Sequence, residues 1–181
     1  MTDVMMDLET LGTVPGQPVL SIGLVYDKED GKRMKFYSPF NLSEQLKMGM
    51  KPDAENLRWW MNQSEGARIV FSQVCAYEDL GRPNESVLRN IGEFLPEKGT
   101  FRIWGYGANF DDPMMCALYK NIGIETPWRY CDSFCFRTLK RLFPKLDVPK
   151  TGVEHDALAD AENQYNYFKE LVRVHKLEWR D

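Results

Sequence analysis

The sequence predicts a mixed α/β fold, a five-stranded sheet flanked by helices. Three strand-like segments crowd the first forty residues, and helical and strand-like segments then alternate to the end. No internal repeat, low-complexity tract or linker divides the 181 residues. With 43% hydrophobic and 13% aromatic residues, the chain can bury one substantial core, so residues 1–181 are expected to form a single domain.

Residues 4–6 are a short β-compatible stretch that stops at acidic residues, and residues 19–26 make the second strand. Between them Gly12, Pro15, Gly16 and Pro18 punctuate a turn. The polar segment KEDGK at 28–32 supplies a hairpin turn, after which residues 33–37 alternate charged and apolar side chains like a half-buried strand. Residues 53–63 have helical spacing, and residues 85–95 place Val87, Leu88, Ile91, Phe94 and Leu95 on one helical face. Residues 101–106 read as a buried strand, 113–122 as a helix, 128–131 as a short strand, 133–143 as a helix and 156–175 as a last helix.

Composition narrows the function. A net charge of −4 and a pI near 5.3 argue against coating long nucleic acid through a broad basic face, but leave room for an enzyme that grips a chain end. No stretch is apolar enough to cross a bilayer, and the start MTDVMMDLET carries neither a basic leader nor a small-residue cleavage site. A soluble, cytoplasmic protein without membrane partners is expected. Cys75, Cys116, Cys131 and Cys135 are expected as reduced, buried thiols. Cys131 and Cys135 could share a helix face, but two histidines, both distant in sequence, do not complete a zinc site.

The acidic residues carry the chemistry. Asp7 and Glu9 lie two apart at the end of a strand, so the strand's period of two puts both carboxylates on one face. Taken alone, Asp-x-Glu is more often a solvated strand end, so the pair needs partners. Asp111 follows the strand-like RIWGYG and a short loop. Asp112 precedes Pro113 and is the expected N-cap, with proline at the first helical position, which leaves Asp111 for chemistry. In HDALADA at 155–161, small residues flank Asp160 as if the helix packs closely. Positions five apart differ by about 140° around a helix, so His155 is expected on the entry loop with Asp160 one turn inside. A competing start at Thr151, with Glu154 completing a capping box, would instead put His155 within the helix.

The order Asp-x-Glu, Phe-Asp, His-x-x-x-x-Asp resembles the DEDDh 3′-to-5′ exonucleases, DnaQ-like members of the ribonuclease H-like superfamily. The segments carrying it are DLETLGT at 7–13, WGYGANFD at 104–111 and HDALADA at 155–161. LRWWMNQSEGAR at 57–68 and YCDSFCFRTL at 130–139 resemble the phage and bacterial branch that includes exonuclease VIII-like and 3′-to-5′ exoribonuclease-like proteins. The resemblance implies catalytic Asp7, Glu9, Asp111, His155 and Asp160, and two divalent ions, Mg²⁺ or Mn²⁺. Asp7 would bridge the ions, Glu9 and Asp160 would complete the nucleophile-side site, and Asp111 would serve the other. His155 would act as general base, a task suited to imidazole.

The resemblance further implies that Thr10, Leu11, Trp59, Trp60 and Phe110 contact the substrate, a single-stranded or 3′-overhanging RNA or DNA end, releasing nucleoside 5′-monophosphates. Adjacent tryptophans point about 100° apart on a helix, so one can pack while the other meets a base. The setting would be a bacterial cell or phage-infected host, and homodimers are common among such enzymes. The basic run Arg137, Lys140 and Arg141 reads either as a phosphate contact or as a solvated face. Two competing functions are a catalytically silent nucleic-acid-binding adaptor and a phosphodiesterase of small nucleotides.

Overall fold

A computed structural model describes residues 1–76 and 82–179. Its sheet has the order β3-β2-β1-β4-β5, with β1 Thr2–Thr10, β2 Val19–Asp27, β3 Arg33–Pro39, β4 Phe101–Gly105 and β5 Ser133–Cys135. The first three strands run antiparallel, joined by short turns, while β4 and β5 add in parallel to β1. Parallel neighbours require crossovers, and these carry helices. Between β3 and β4 lie α1 Leu42–Lys47, α2 Ala54–Met61, α3 Glu65–Cys75 and α4 Asn84–Phe94. Between β4 and β5 lies α5 Asp111–Ile122, and α6 Phe136–Arg141 and α7 Ala157–His175 follow the sheet.

Strand alternation sorts the core into two faces. Val4, Met6 and Leu8 of β1 pack with Leu88 and Ile91 of α4 and Met115 and Leu118 of α5. Met5 points the other way, into a cluster with Trp104, Phe136 and the α7 residues Tyr165, Phe168 and Leu171. Asp7 and Glu9 follow Met5 on this second face, so the sequence period delivers both carboxylates to the side covered by α7.

One glycine sets how close that helix comes. Gly23 of β2 is the cross-strand partner of Asp7, and a methyl there would overlap the backbone carbonyl of Ala157, the first residue of α7. Gly23→Ala should therefore push the start of α7 off the sheet. We expect a loss of about 1–3 kcal/mol in a denaturant titration and a larger proportional loss of activity, because Asp160 rides on the displaced turn.

Several expected elements move. Residues 128–131 are not a strand: Tyr130–Asp132 form a 3-10 turn, and β5 lies at Ser133–Cys135. The turn is fixed by Asp132, which accepts hydrogen bonds from the backbone N–H and the guanidinium of Arg129. The helix expected over 133–143 accordingly shortens to Phe136–Arg141. Asp112 does not cap α5. The helix starts two residues earlier, after Phe110, and Asp112 accepts the indole N–H of Trp128 at 2.7 Å. Cys131 is exposed rather than buried, while the other cysteines are partly buried and none of the four is in a disulfide. Helices α1 and α3 were not expected from the sequence. Among the described residues, no helix is long and apolar enough to cross a membrane.

Candidate active site

The carboxylates meet at the carboxyl end of the sheet. Strand β4 pairs with β1 only as far as Met5, so Asp7 and Glu9 stand beyond the last β4 partner, where the chain leaving β4 turns into α5. Asp111 is the first residue of α5 and folds back over the strand end. Gly105 makes room for this, since a methyl there would press on the Asp111 side chain at 2.8 Å. Asp111 Oδ2 accepts the backbone N–H of Tyr106 at 2.6 Å, whereas Oδ1 is buried without a partner. A buried orphan carboxylate oxygen is costly unless something cationic completes it.

The fourth carboxylate arrives from α7. Asp156 caps the helix by accepting the N–H of Ala159, which places the helix start after His155 and disposes of the competing start at Thr151. His155 lies on the entry loop in a left-handed conformation, φ 64°, and its backbone N–H donates to Asp160 Oδ2 at 3.0 Å. Such a conformation is uncommon for a residue with a side chain and is held here by that bond. The small residues around Asp160 are explained by close packing: Ala157 meets Gly23, and Ala159 lies against Gly152 of the preceding loop.

The two tryptophans divide as the helical angle requires. Trp60 is 1% exposed, stacks on Phe71 and donates its indole N–H to the Thr10 carbonyl at 2.9 Å, tying α2 to the end of β1. Trp59 is 42% exposed and meets the His155 ring edge-on with centroids 4.8 Å apart. Trp59, Phe110, Thr10 and Asn56 line a cleft of about 590 Å³ that reaches Asp7, Glu9 and Asp160. Leu11 does not belong to this cleft. It is 2% exposed and packs with Leu20, Trp60 and Val74, and its backbone N–H and carbonyl are engaged by Pro18 and Asp53.

Crowding four carboxylates around a low-dielectric cleft makes each harder to ionise. Desolvation is the main cause throughout. It raises Glu9 from 4.5 to about 9, with Asp160, Asp156 and Asp111 adding repulsion. It raises Asp111 to about 7, opposed by backbone N–H groups and by Arg137. Asp7 is held well above the usual carboxylate range by desolvation and then by Asp111, Glu9 and Asp160, although part of its surface opens to the cleft floor. Asp160 is raised as well, by desolvation, with the His155 N–H opposing.

Ligand atoms of Glu9, His155 and Asp160 all lie within 4.8 Å of one another, a separation at which a metal ion can be held. Gln164, one turn beyond Asp160, was not singled out from the sequence. Its Nε2 donates to Asp7 Oδ1 at 2.6 Å and holds that carboxylate in the cluster. The spacing of four from Asp160 was the available signal, since i and i+4 share a helix face. A larger cavity of about 840 Å³ lies at the opposite end of β1. There Asp27 is neutralised by Arg33 and Lys169, so the charge frustration of the cluster is absent.

Residues 2–172 match a protein family described as the 3′-5′ exoribonuclease Rv2179c-like domain. No curated protein matches the chain. Among solved structures, a product-bound exonuclease I is 16% identical with a TM-score of 0.57, covering 96% of this chain and 43% of its own. E. coli exonuclease I in complex with a dT13 oligonucleotide is 15% identical with a TM-score of 0.57, covering 97% of this chain and 41% of its own. Exonuclease X in complex with 5′-overhanging duplex DNA is 17% identical with a TM-score of 0.55, covering 97% and 94%. The chain thus spans less than half the length of the exonuclease I structures, and the likeness establishes the ribonuclease H-like fold of exonuclease I.

Proposed function

Because this chain belongs to the 3′-5′ exoribonuclease Rv2179c-like domain family, we propose that it is a metal-dependent 3′-to-5′ exonuclease acting on single-stranded or 3′-overhanging nucleic acid. The observation that carries the proposal is the convergence of Asp7 and Glu9 of β1 and Asp160 of α7 on one cleft, with Asp111 of α5 close enough to repel Asp7 and Glu9 and its Oδ1 buried and unpartnered. Carboxylate oxygens in this number suit hard divalent cations. Two Mg²⁺ or Mn²⁺ ions bound there would stabilise the attacking and leaving oxygens of phosphodiester hydrolysis together. The exposed face of Trp59 and the ring of Phe110 offer stacking surfaces to the terminal base. His155, steadied by the edge of Trp59 and by Asp160, faces the cluster and accepts the proton of the attacking water. Water oxygen bonds to phosphorus, the 3′ oxygen of the upstream residue leaves, and the product is a nucleoside 5′-monophosphate.

The same cluster makes stability depend on pH and metal. A carboxyl whose folded value is raised contributes stability fully present below its unfolded value and lost as pH rises through the folded value. Glu9, raised from 4.5 to about 9, and Asp111, raised from 3.8 to about 7, therefore make the metal-free protein less stable as pH climbs from about 5 to 9. Mn²⁺ should displace those protons, raise the melting temperature and flatten its pH dependence. Melting curves in EDTA and in saturating Mn²⁺ across that range test this. Equal melting temperatures at every pH would remove the metal cluster from the account.

A further inference from the structure

A second cleft leaves the carboxylates in another direction, and the charged residues that line it beyond the catalytic ones are mainly cationic. It encloses about 510 Å³, shares Asp7, His155 and Asp160 with the first, and is lined by Lys140, Lys145 and Lys150. Asp147 is its one carboxylate beyond the catalytic pair. The aromatic cleft instead presents Asp53 and Glu55 beside the catalytic acids, with Arg137 its single lysine or arginine.

The lysine cleft is built rather than incidental. Lys140 Nζ lies 4.2 Å from the centre of the Tyr167 ring and 5.7 Å from that of Tyr106, contacts that position the ammonium without neutralising it. Tyr167 also accepts the backbone N–H of Leu146 with its hydroxyl, pinning the segment that carries Lys145. Asn163 of α7 exchanges two hydrogen bonds with the backbone of Thr151, beside Lys150. Among the described residues, Lys140 and Lys145 form no ion pair, and Lys150 meets only Glu154, at 3.8 Å and largely exposed. In a chain of net charge −4, a pinned wall of three lysines with one carboxylate beyond the catalytic pair is a local specialisation.

We infer that this cleft seats the phosphodiester backbone on the 5′ side of the scissile phosphate, while the terminal nucleoside enters the aromatic cleft. The inference rests on the exonuclease reading and assigns the strand its direction across the site. A 3′-terminal nucleoside carries no phosphate beyond itself, so it is the part of the substrate that tolerates Asp53 and Glu55. Each upstream residue adds a negative charge, which three lysines of this cleft are placed to receive against the single Arg137 of the aromatic cleft.

The test is equilibrium binding of 5′-fluorescein-labelled single strands of two, three, four and six nucleotides, read by anisotropy in Ca²⁺ at several salt concentrations. Wild type should gain affinity with each added phosphate. The variant Lys140→Gln/Lys145→Gln/Lys150→Gln should bind the six-nucleotide strand at least about tenfold more weakly and lose about 2 from its salt slope, at roughly 0.7 per phosphate contact. The equally charged control Lys28→Gln/Lys32→Gln/Lys98→Gln alters the opposite end of the sheet and should keep the wild-type slope. An unchanged slope in the cleft variant, an equal fall in the control, or no gain in wild-type affinity with length would overturn the assignment. Hydrolysis of the dinucleotide by wild type in Mg²⁺ reports separately on the exonuclease reading, so either idea can fail while the other stands.

Discussion

Asp7→Asn is expected to slow hydrolysis at least about 10³-fold while raising the melting temperature of the metal-free protein. Both effects have one origin. Asp7 sits among Asp111, Glu9 and Asp160, and its carboxyl is held well above the ordinary range by desolvation and by those neighbours. The amide keeps the shape and can still accept the hydrogen bond that Gln164 donates. It removes only the charge, and with it the attraction that the carboxylate would have for a divalent cation and the repulsion that destabilises the metal-free cluster. Opposite signs in activity and stability separate a functional carboxylate from a structural one. If Asp7→Asn lowers the metal-free melting temperature, the residue is holding the fold together and its place in the account is wrong.

His155→Asn should slow hydrolysis by about 10²–10⁴-fold and leave Mn²⁺ binding nearly intact. Asparagine is the useful substitution because His155 has φ 64°, a left-handed conformation that asparagine tolerates and alanine does not. The backbone N–H that secures Asp160 Oδ2 is then retained, and the loss reports on the imidazole alone. The imidazole also lies near enough to Glu9 and Asp160 to serve as a metal ligand, so the two roles must be told apart. A ligand would take Mn²⁺ affinity with it when removed. A base would leave affinity in place and take turnover alone.

Much of this site could be read from the sequence because its logic is local. Asp7 and Glu9 share a face through the period of a strand, and His155 and Asp160 are separated by a helix cap, each visible within a few residues. Trp59 and Trp60 likewise divide by a helical angle, one buried under α3 and the other facing the cleft. What failed depended on partners far along the chain. Asp112 looks like a cap because it precedes Pro113, but its carboxylate is claimed by Trp128 sixteen residues later. The fifth strand was placed too early because the apolar Trp128 has no strand partner and fills a core position under Tyr119 instead. Leu11, which the resemblance implies as a substrate contact, is turned by the bulge after Glu9 into the packing beneath α2. Gln164 was overlooked because a glutamine on an amphipathic helix carries no local mark of the carboxylate it will meet across 157 residues.

Stepwise release of nucleotides from 3′- and 5′-labelled single-stranded RNA and DNA, in Mg²⁺, Mn²⁺ or EDTA, decides whether the protein is a metal-dependent 3′-to-5′ exonuclease. The 3′ label should appear at once as nucleoside 5′-monophosphate, the 5′-labelled strand should shorten one residue at a time, and EDTA should stop both. Shortening from the 5′ end, internal cleavage, or undiminished activity in EDTA would contradict it.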